Sequence, residues 1–135
     1  SLCYKYQYLN GKQHGEQLGY YENCDGELSH KYQYLNGKQH GEQLGYHFNG
    51  SLCYKYQYLN GKQHGEQLRY YENCDGKLSH KHQYLNGKLH GEQLVYYVNG
   101  ELWYKHQYLN GGKVSEEEWI VYKRTQKLEK MIRGY

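Results

Sequence analysis

Apolar and aromatic positions in this chain alternate with polar ones at every second residue over short runs. In the first run Leu2, Tyr4, Tyr6 and Tyr8 fall on one side, and Cys3, Lys5, Gln7 and Leu9 on the other. A second kind of run sets Leu18 and Tyr20 against Gln17 and Tyr21. A period of two over such lengths predicts half-buried β-strands. The runs occupy 1–9, 15–22, 27–35, 41–48, 51–59, 65–72, 77–85, 91–98 and 101–109. Asn-Gly pairs separate many of them, at Asn10-Gly11, Asn36-Gly37, Asn49-Gly50, Asn60-Gly61, Asn86-Gly87, Asn99-Gly100 and Asn110-Gly111. Asn-Gly between alternating runs is a strong hairpin signal, because a two-residue type I′ turn needs positive φ at both positions. Asn23-Cys24-Asp25-Gly26 and Asn73-Cys74-Asp75-Gly76 read as the same turn lengthened by two residues. The pattern predicts a mainly β chain, a single-layer antiparallel meander of about nine strands with a Tyr/Leu face. At roughly 4.8 Å per strand it is about 38 Å wide.

After Gly112 the alternation stops. Ser115-Glu116-Glu117-Glu118 is a capping box followed by acid, and Lys123, Arg124, Lys127, Lys130 and Arg133 fill the later turns. Both features suit a helix dipole. Ile120, Val121, Leu128, Met131 and Ile132 recur at helical spacing. An open sheet ends in a strand with unpaired backbone groups, so the expected use of this stripe is to cap the last hairpins. The chain thus divides into a repeat meander over 1–112 and a C-terminal capping helix over 113–135.

The chain also copies itself. Residues 1–18 return unchanged at 51–68, and 20–26 return at 70–76. Within each block QYLNG recurs, its Asn residues spaced 26, 24, 26 and 24 apart. A period in this range marks one supersecondary unit stacked along a line, an architecture that supplies surfaces. The phrases at Tyr46–Leu52 and Asn36–Glu42 resemble MORN repeats over residues 1–112. The variant they resemble is the tyrosine-rich type of YwqK-like antitoxin proteins and of MORN-repeat proteins in amoeba-infecting giant DNA viruses such as the marseilleviruses. The tail VSEEEWIVYKR is similar to the helical endings of those viral proteins. The resemblance implies a β-meander, a protein partner, and a place in a virion or host cytoplasm.

Composition sharpens this picture. With 135 residues the chain has one domain's length, and 20 Tyr, one Phe and no Pro replace the aliphatic stock of an ordinary core. Tyrosine buries its ring while keeping its hydroxyl wet, which suits a thin sheet. A formal charge of +3, with acids and bases interspersed, calls for neither nucleic acid nor membrane. No apolar run approaches the roughly 20 residues of a spanning helix. Ser1 opens the chain in mid-repeat without an initiating Met, which reads as a processed or partial product.

Candidate chemistry reduces to repeat positions. His14, His40, His64 and His90 are equivalent and lie two strands apart, roughly 10 Å, too far to share a zinc ion. They are expected to stack on neighbouring Tyr at the hairpin shoulder, and no metal or cofactor is expected. Cys3 and Cys53 lie four strands apart, about 19 Å, as do Cys24 and Cys74, beyond disulfide reach. Cys3 with Cys24 and Cys53 with Cys74 stay open as pairings. With no CxxC spacing, a reducing, intracellular compartment is expected. Gly111-Gly112-Lys113 lacks the order of a phosphate loop, and Glu16, Glu42, Glu66 and Glu92 form a repeated set that offers no acid/base pair. No enzyme is expected. Two surfaces remain. Tyr4, Tyr6, Tyr8, Tyr34, Tyr54, Tyr56, Tyr58, Tyr84, Trp103 and Tyr108 form an aromatic interaction surface. Lys5, Lys31, Lys55, Lys81 and Lys105 form a ladder on the opposite face that could hold acidic headgroups. The expectation is a non-enzymatic structural or protein–protein interaction scaffold, most concretely capsid-associated. A membrane adaptor, or an antitoxin-like inhibitor of one protein, is the alternative.

Overall fold

Five of the Asn-Gly pairs turn the chain as expected. In the computed structural model, which describes residues 3–22, 26–72 and 76–134, Asn10, Asn36, Asn60, Asn86 and Asn110 have φ between 47° and 52°. The glycine after each is also positive, so both turn positions adopt the left-handed backbone that type I′ requires. The strands are β1 (Cys3–Leu9), β2 (Lys12–Tyr20), β3 (Leu28–Leu35), β4 (Lys38–Tyr46), β5 (Leu52–Leu59) and β6 (Lys62–Gln63). They continue as β7 (Gly65–Tyr70), β8 (Leu78–Leu85), β9 (Lys88–Leu89), β10 (Gly91–Tyr96), β11 (Leu102–Leu109) and β12 (Gly112–Val114), followed by helix α1 (Glu116–Arg133). All pairs are antiparallel and join sequence neighbours in one open sheet, with β6 and β9 the first segments of the arms that β7 and β10 continue.

Twelve segments replace the nine expected: pairing resumes directly after each turn, which lengthens β2 and β4 from Lys12 and Lys38 and adds β6, β9 and β12 as separate segments. Each arm then carries a bulge. Tyr6 pairs with Gln17 but Tyr8 pairs with Gln13, so His14-Gly15-Glu16 faces the single residue Gln7. The same offset recurs between β3 and β4, where His40-Gly41-Glu42 faces Gln33. Gly15 and Gly41 take φ of 83° and 89°, the left-handed geometry that lets a strand absorb extra residues.

Asn49-Gly50 and Asn99-Gly100 are corrected: they do not form two-residue turns. Only the glycines have positive φ, 88° and 90°. Gly50 N–H donates to His47 O at 2.9 Å and His47 N–H to Ser51 O at 2.8 Å, a three-residue loop. Asn49 Oδ1 accepts from the Ser51 amide and hydroxyl, which holds the asparagine out of the left-handed region. The longer loops close with the same kind of bond, Tyr21 N–H to Glu27 O and Tyr71 N–H to Lys77 O, both 2.9 Å. Asn23–Asp25 and Asn73–Asp75 lie outside the described residues.

Residues directly opposite in an antiparallel pair share a face. Tyr4, Tyr6 and Tyr8 therefore lie with Gly19, Gln17 and Gln13 on one face. Lys5 lies with Leu18 on the other, and Lys31, Lys55, Lys81 and Lys105 stand opposite Leu44, Leu68 or Leu94 in the same way. The expected Tyr/Leu face is thus corrected to a Tyr/Gln face and a Lys/Leu face. The interior is polar. Val95 is the one buried hydrophobic side chain among the described residues, while Gln17, Gln43, Gln67, Gln93 and Gln107 are all at most 2% exposed.

Four of these glutamines fill the bulges. Gln67 Nε2 donates to Gln57 O at 2.8 Å and Gly65 O at 3.2 Å, and Gln43 and Gln93 make the equivalent bonds. Gln17 reaches Gln7 O at 2.9 Å and accepts from the Gln7 amide at 3.2 Å. The amide Nε2 thus supplies bonds that the bulge removes from the ladder, while Oε1 of Gln43 and Gln67 is buried without a hydrogen-bond partner.

The helix has its capping box, with Ser115 accepting from Glu118 N–H and Glu118 from Ser115 N–H, and ends at Gly134 with φ 78°. Its docking differs from expectation. Trp119 and Tyr122 stack on each other at 5.6 Å and meet the His90 ring edge-on. Glu116 reaches Lys105 and Gln107. Val121, Leu128, Met131 and Ile132 are 58–84% exposed, because α1 starts at the corner of the sheet and only its first turns lie over it. No helix among the described residues is long and apolar enough to cross a membrane.

Candidate functional site

The aromatic face is a grid. In one column stand Tyr4, His30, Tyr54, His80 and Tyr104; in the next Tyr6, Tyr32, Tyr56, His82 and His106; in the third Tyr8, Tyr34, Tyr58, Tyr84 and Tyr108. Alternation along β1, β3, β5, β8 and β11 generates it, and the arms between them bring chiefly glycine and glutamine to this face, with Arg69, Leu89 and Val95 in the later repeats. Within strands the rings contact one another: His30 stacks on Tyr32 at 4.5 Å, Tyr54 on Tyr56 at 4.6 Å, and Tyr104 meets His106 at 4.7 Å. Between strands, the Tyr32 and Tyr54 hydroxyls are hydrogen-bonded. Gly45 has no Cβ because the Tyr54 ring lies where one would be, 2.1 Å from its ideal position. Gly19 makes the same room for His30.

Partial burial marks this face electrostatically. Burial pushes the Tyr54 phenol well above its ordinary value, reinforced by the hydrogen bond with Tyr32. Tyr6, Tyr56 and Tyr58 move the same way, chiefly through burial. Burial lowers His30, His80 and His82, so these imidazoles are held neutral. The face is therefore amphipathic and broad, and Arg69, which stands opposite Tyr54 and His80, places a guanidinium on it. A groove of about 200 Å³ crosses it between His82, Tyr84, Gln93, Tyr104, His106 and Tyr108.

The expected residues Tyr4, Tyr6, Tyr8, Tyr34, Tyr54, Tyr56, Tyr58, Tyr84 and Tyr108 all lie in the grid. Trp103 does not join it; it stacks on Tyr97 at 5.5 Å at the long-loop end. Tyr32, Tyr104 and the four histidines complete the grid and were legible from the same alternation, since each occupies a Tyr4 or Tyr6 position in a later repeat.

The lysine ladder is a paired row. Lys31, Lys55, Lys81 and Lys105 meet Glu16, Glu42, Glu66 and Glu92 at 3.3, 3.4, 3.5 and 3.7 Å, and Lys105 also meets Glu116. Lys5 lies over the Tyr20 ring at 5.3 Å. Such half-exposed pairs add little stability, but they balance charge along the row.

The repeated histidines have a role other than the expected stacking on tyrosine. Nδ1 of His14, His40, His64 and His90 accepts from the backbone N–H of Asn36, Asn60, Asn86 and Asn110 at 3.1–3.3 Å. Each imidazole is a strut between one arm and the next turn. At the opposite end Tyr21 and Tyr71 donate to Tyr46 O and Tyr96 O at 2.6 Å. Cys3 is disulfide-bonded and Cys53 carries a free thiol. The pairings open to Cys24 and Cys74 lie outside the described residues.

These features define a class: an open, single-layer repeat sheet with a polar interior and a periodic aromatic face. Compared with protein-family models and with curated proteins, the chain matches none.

Proposed function

We propose that the chain is a non-enzymatic scaffold that binds protein through the aromatic face of its sheet. In its narrowest form it is a component seated on a repeating lattice such as a viral capsid. The observation that carries this reading is the grid: equivalent rings recur every second strand, roughly 10 Å apart. Tyrosine is enriched in interface cores, and identical groups at fixed intervals suit identical partners through multivalency. The lysine row is matched by glutamates, so a phosphate surface would have to displace them first.

A photoreactive residue at Tyr58 should cross-link the chain to one protein partner, identified by mass spectrometry of purified particles against cytosol. The complex should survive about 0.5 M NaCl, where exposed charges are screened. It should dissociate when Tyr56, Tyr58 and Tyr84 become Ser. Binding to anionic vesicles that is lost when the five lysines become Gln, at about 1 kcal/mol each, would replace the scaffold reading with a lipid adaptor.

A further inference from the structure

The Lys/Leu face holds α1 through a small set of groups in the last unit. The absent Cβ of Gly91 leaves room for Gln83 and for the Trp119 ring, 3.3 and 3.6 Å from its ideal position. The His90 ring meets Trp119 and Tyr122 edge-on, and its Nε2 lies 3.3 Å from the Tyr122 hydroxyl. Nδ1 accepts from Asn110 N–H, so the neutral imidazole carries its proton on Nε2 and donates it to that hydroxyl. Glu116 meets Lys105 at 3.7 Å, beside Glu92, and accepts from Gln107 Nε2 at 3.1 Å. Leu109 lines a groove with Val121 and Tyr122.

The two preceding units carry the same residue at every one of these positions. Around His64 they are Gln57, Gly65, Lys81, Gln83 and Leu85; around His40 they are Gln33, Gly41, Lys55, Gln57 and Leu59. Both sets lie inside the array, between β3 and β8. The backbone repeats as well: Gly41 and Gly65 both have φ 89°. His40 and His64 accept at Nδ1 from Asn60 and Asn86 at 3.2 Å, so each offers an Nε2–H as His90 does. Of the strut histidines, His90 is the one that the rings of α1 meet. Gln107 is 2% exposed under α1, whereas its counterparts Gln57 and Gln83 are half-buried and Leu59 and Leu85 are exposed.

We propose that the units around His40 and His64 are docking sites for a helix of a partner protein carrying Glu-x-x-Trp-x-x-Tyr, seated as α1 is on the last unit. The carboxylate goes to the lysine and the glutamine amide, the indole to the glycine, and the tyrosine hydroxyl to histidine Nε2. The bare glycine and the oriented Nε2–H select aromatic residues three apart on one helix face. α1 follows β12 directly and meets its own site at high effective concentration, so it stays there and the inner sites are left to another protein. This face is opposite the aromatic grid, so the inference stands independently of the scaffold reading.

The probe is a labelled peptide of residues 115–134, titrated with the whole chain and followed by fluorescence anisotropy. Saturable binding is expected. It should weaken about tenfold or more for a peptide with Trp119→Ala and Tyr122→Ala, the anchoring rings. A peptide with Leu128→Ala and Met131→Ala should bind like the parent peptide, since those side chains stay exposed in α1. In the chain, Leu59→Glu with Leu85→Glu should also weaken binding about tenfold or more, because each buries a carboxylate where Leu109 meets Val121 and Tyr122. Both leucines are exposed, and circular dichroism with thermal melting checks that the double variant keeps its fold. Absence of saturable binding, or equal binding by the peptide without its rings, would overturn the proposal. So would equal binding to the double variant, since the peptide would then only exchange with α1 at His90. Self-association of the parent chain that the double variant loses would overturn it too, by giving the sites to a second copy.

Discussion

Gln67→Leu tests whether buried amides hold this sheet together. The side chain is 2% exposed, and its Nε2 donates to Gln57 O at 2.8 Å and Gly65 O at 3.2 Å. Leucine nearly conserves volume but offers no donor. Gln57 O keeps the bond from His64 N–H at 2.9 Å, so that carbonyl is weakened and not orphaned. Two neutral hydrogen bonds at about 0.5–1.5 kcal/mol each give a gross loss of roughly 1–3 kcal/mol, which removal of the buried Oε1, without a hydrogen-bond partner, partly offsets. On hydropathy alone the same change should stabilise, so the sign separates the two views. Gln67→Glu should cost more at neutral pH, where a carboxylate faces two carbonyls, and should recover in acid once an O–H can donate. Gln57→Leu is the control, because that residue contributes its backbone carbonyl and its side chain is half-buried on the other face; it should stay within about 0.5 kcal/mol of the parent. Urea unfolding gives the free energies, and hydrogen exchange at residues 57–67 localises the effect. Gln67→Leu as stable as the parent, or more so, would refute the polar-interior account.

Three further outcomes are expected. Gly45→Val should drive a side chain into the Tyr54 ring and cost about 1–3 kcal/mol, with loss of the Tyr32–Tyr54 contact; an unchanged melting temperature would mean the ring moves freely. Stability should fall at both pH extremes. Phenols raised in the fold stay protonated while the unfolded chain ionises, so stability contributed by Tyr6, Tyr54, Tyr56 and Tyr58 is lost as pH rises above about 10. Histidines lowered in the fold stay neutral while the unfolded chain takes up protons, so the contribution of His30, His80 and His82 is lost as pH falls below about 6.5; unfolding curves that coincide across these windows would contradict both signs. Trp119→Ala with Tyr122→Ala should release α1 from the sheet, seen as a rise in exchange at Gln107, whereas Leu128→Ala with Met131→Ala should not; the reverse result would restore the apolar stripe as the docking face.

The parts of this fold that were legible in the sequence are those governed by local backbone chemistry. Five Asn-Gly turns and the Ser115 cap follow from steric and hydrogen-bonding preferences that act within four residues. Asn49-Gly50 escaped because the dipeptide is compatible with two loop types, and the Asn49 bonds to Ser51 select the other one. The bulge escaped because His14-Gly15-Glu16 reads as a continuation of a polar turn. Its purpose is visible only when Gln17, four residues from Gln13, is seen to return to the opposite strand. Burial of that amide cannot be read from hydropathy, because its partners are carbonyls of residues that are themselves polar. The face of Leu18 was misassigned by matching apolar with apolar: the two-residue turn, with Leu9 opposite Lys12, already puts Leu18 on the Lys5 face, and the three-for-one bulge shifts the pairing by two residues, which keeps that face.

The same register explains how the last arm departs from the others. Every arm faces forward with a set of groups that the next turn needs: a carbonyl for glycine, an imidazole for asparagine, a carboxylate for lysine. In the last arm that set is broken in sequence order. Val114 stands where His14 stands in the first arm, Ser115 where the bulge glycine stands, and Glu117 where the buried Gln17 stands. Without the bulge β12 pairs in one unbroken register for three residues, and Ser115 turns the chain into α1. Glu116, the counterpart of Glu16, bonds back to Lys105 and Gln107, and no imidazole remains to receive a further turn. The pairing of the repeat is therefore broken at β12 by the changes at Val114, Ser115 and Glu117.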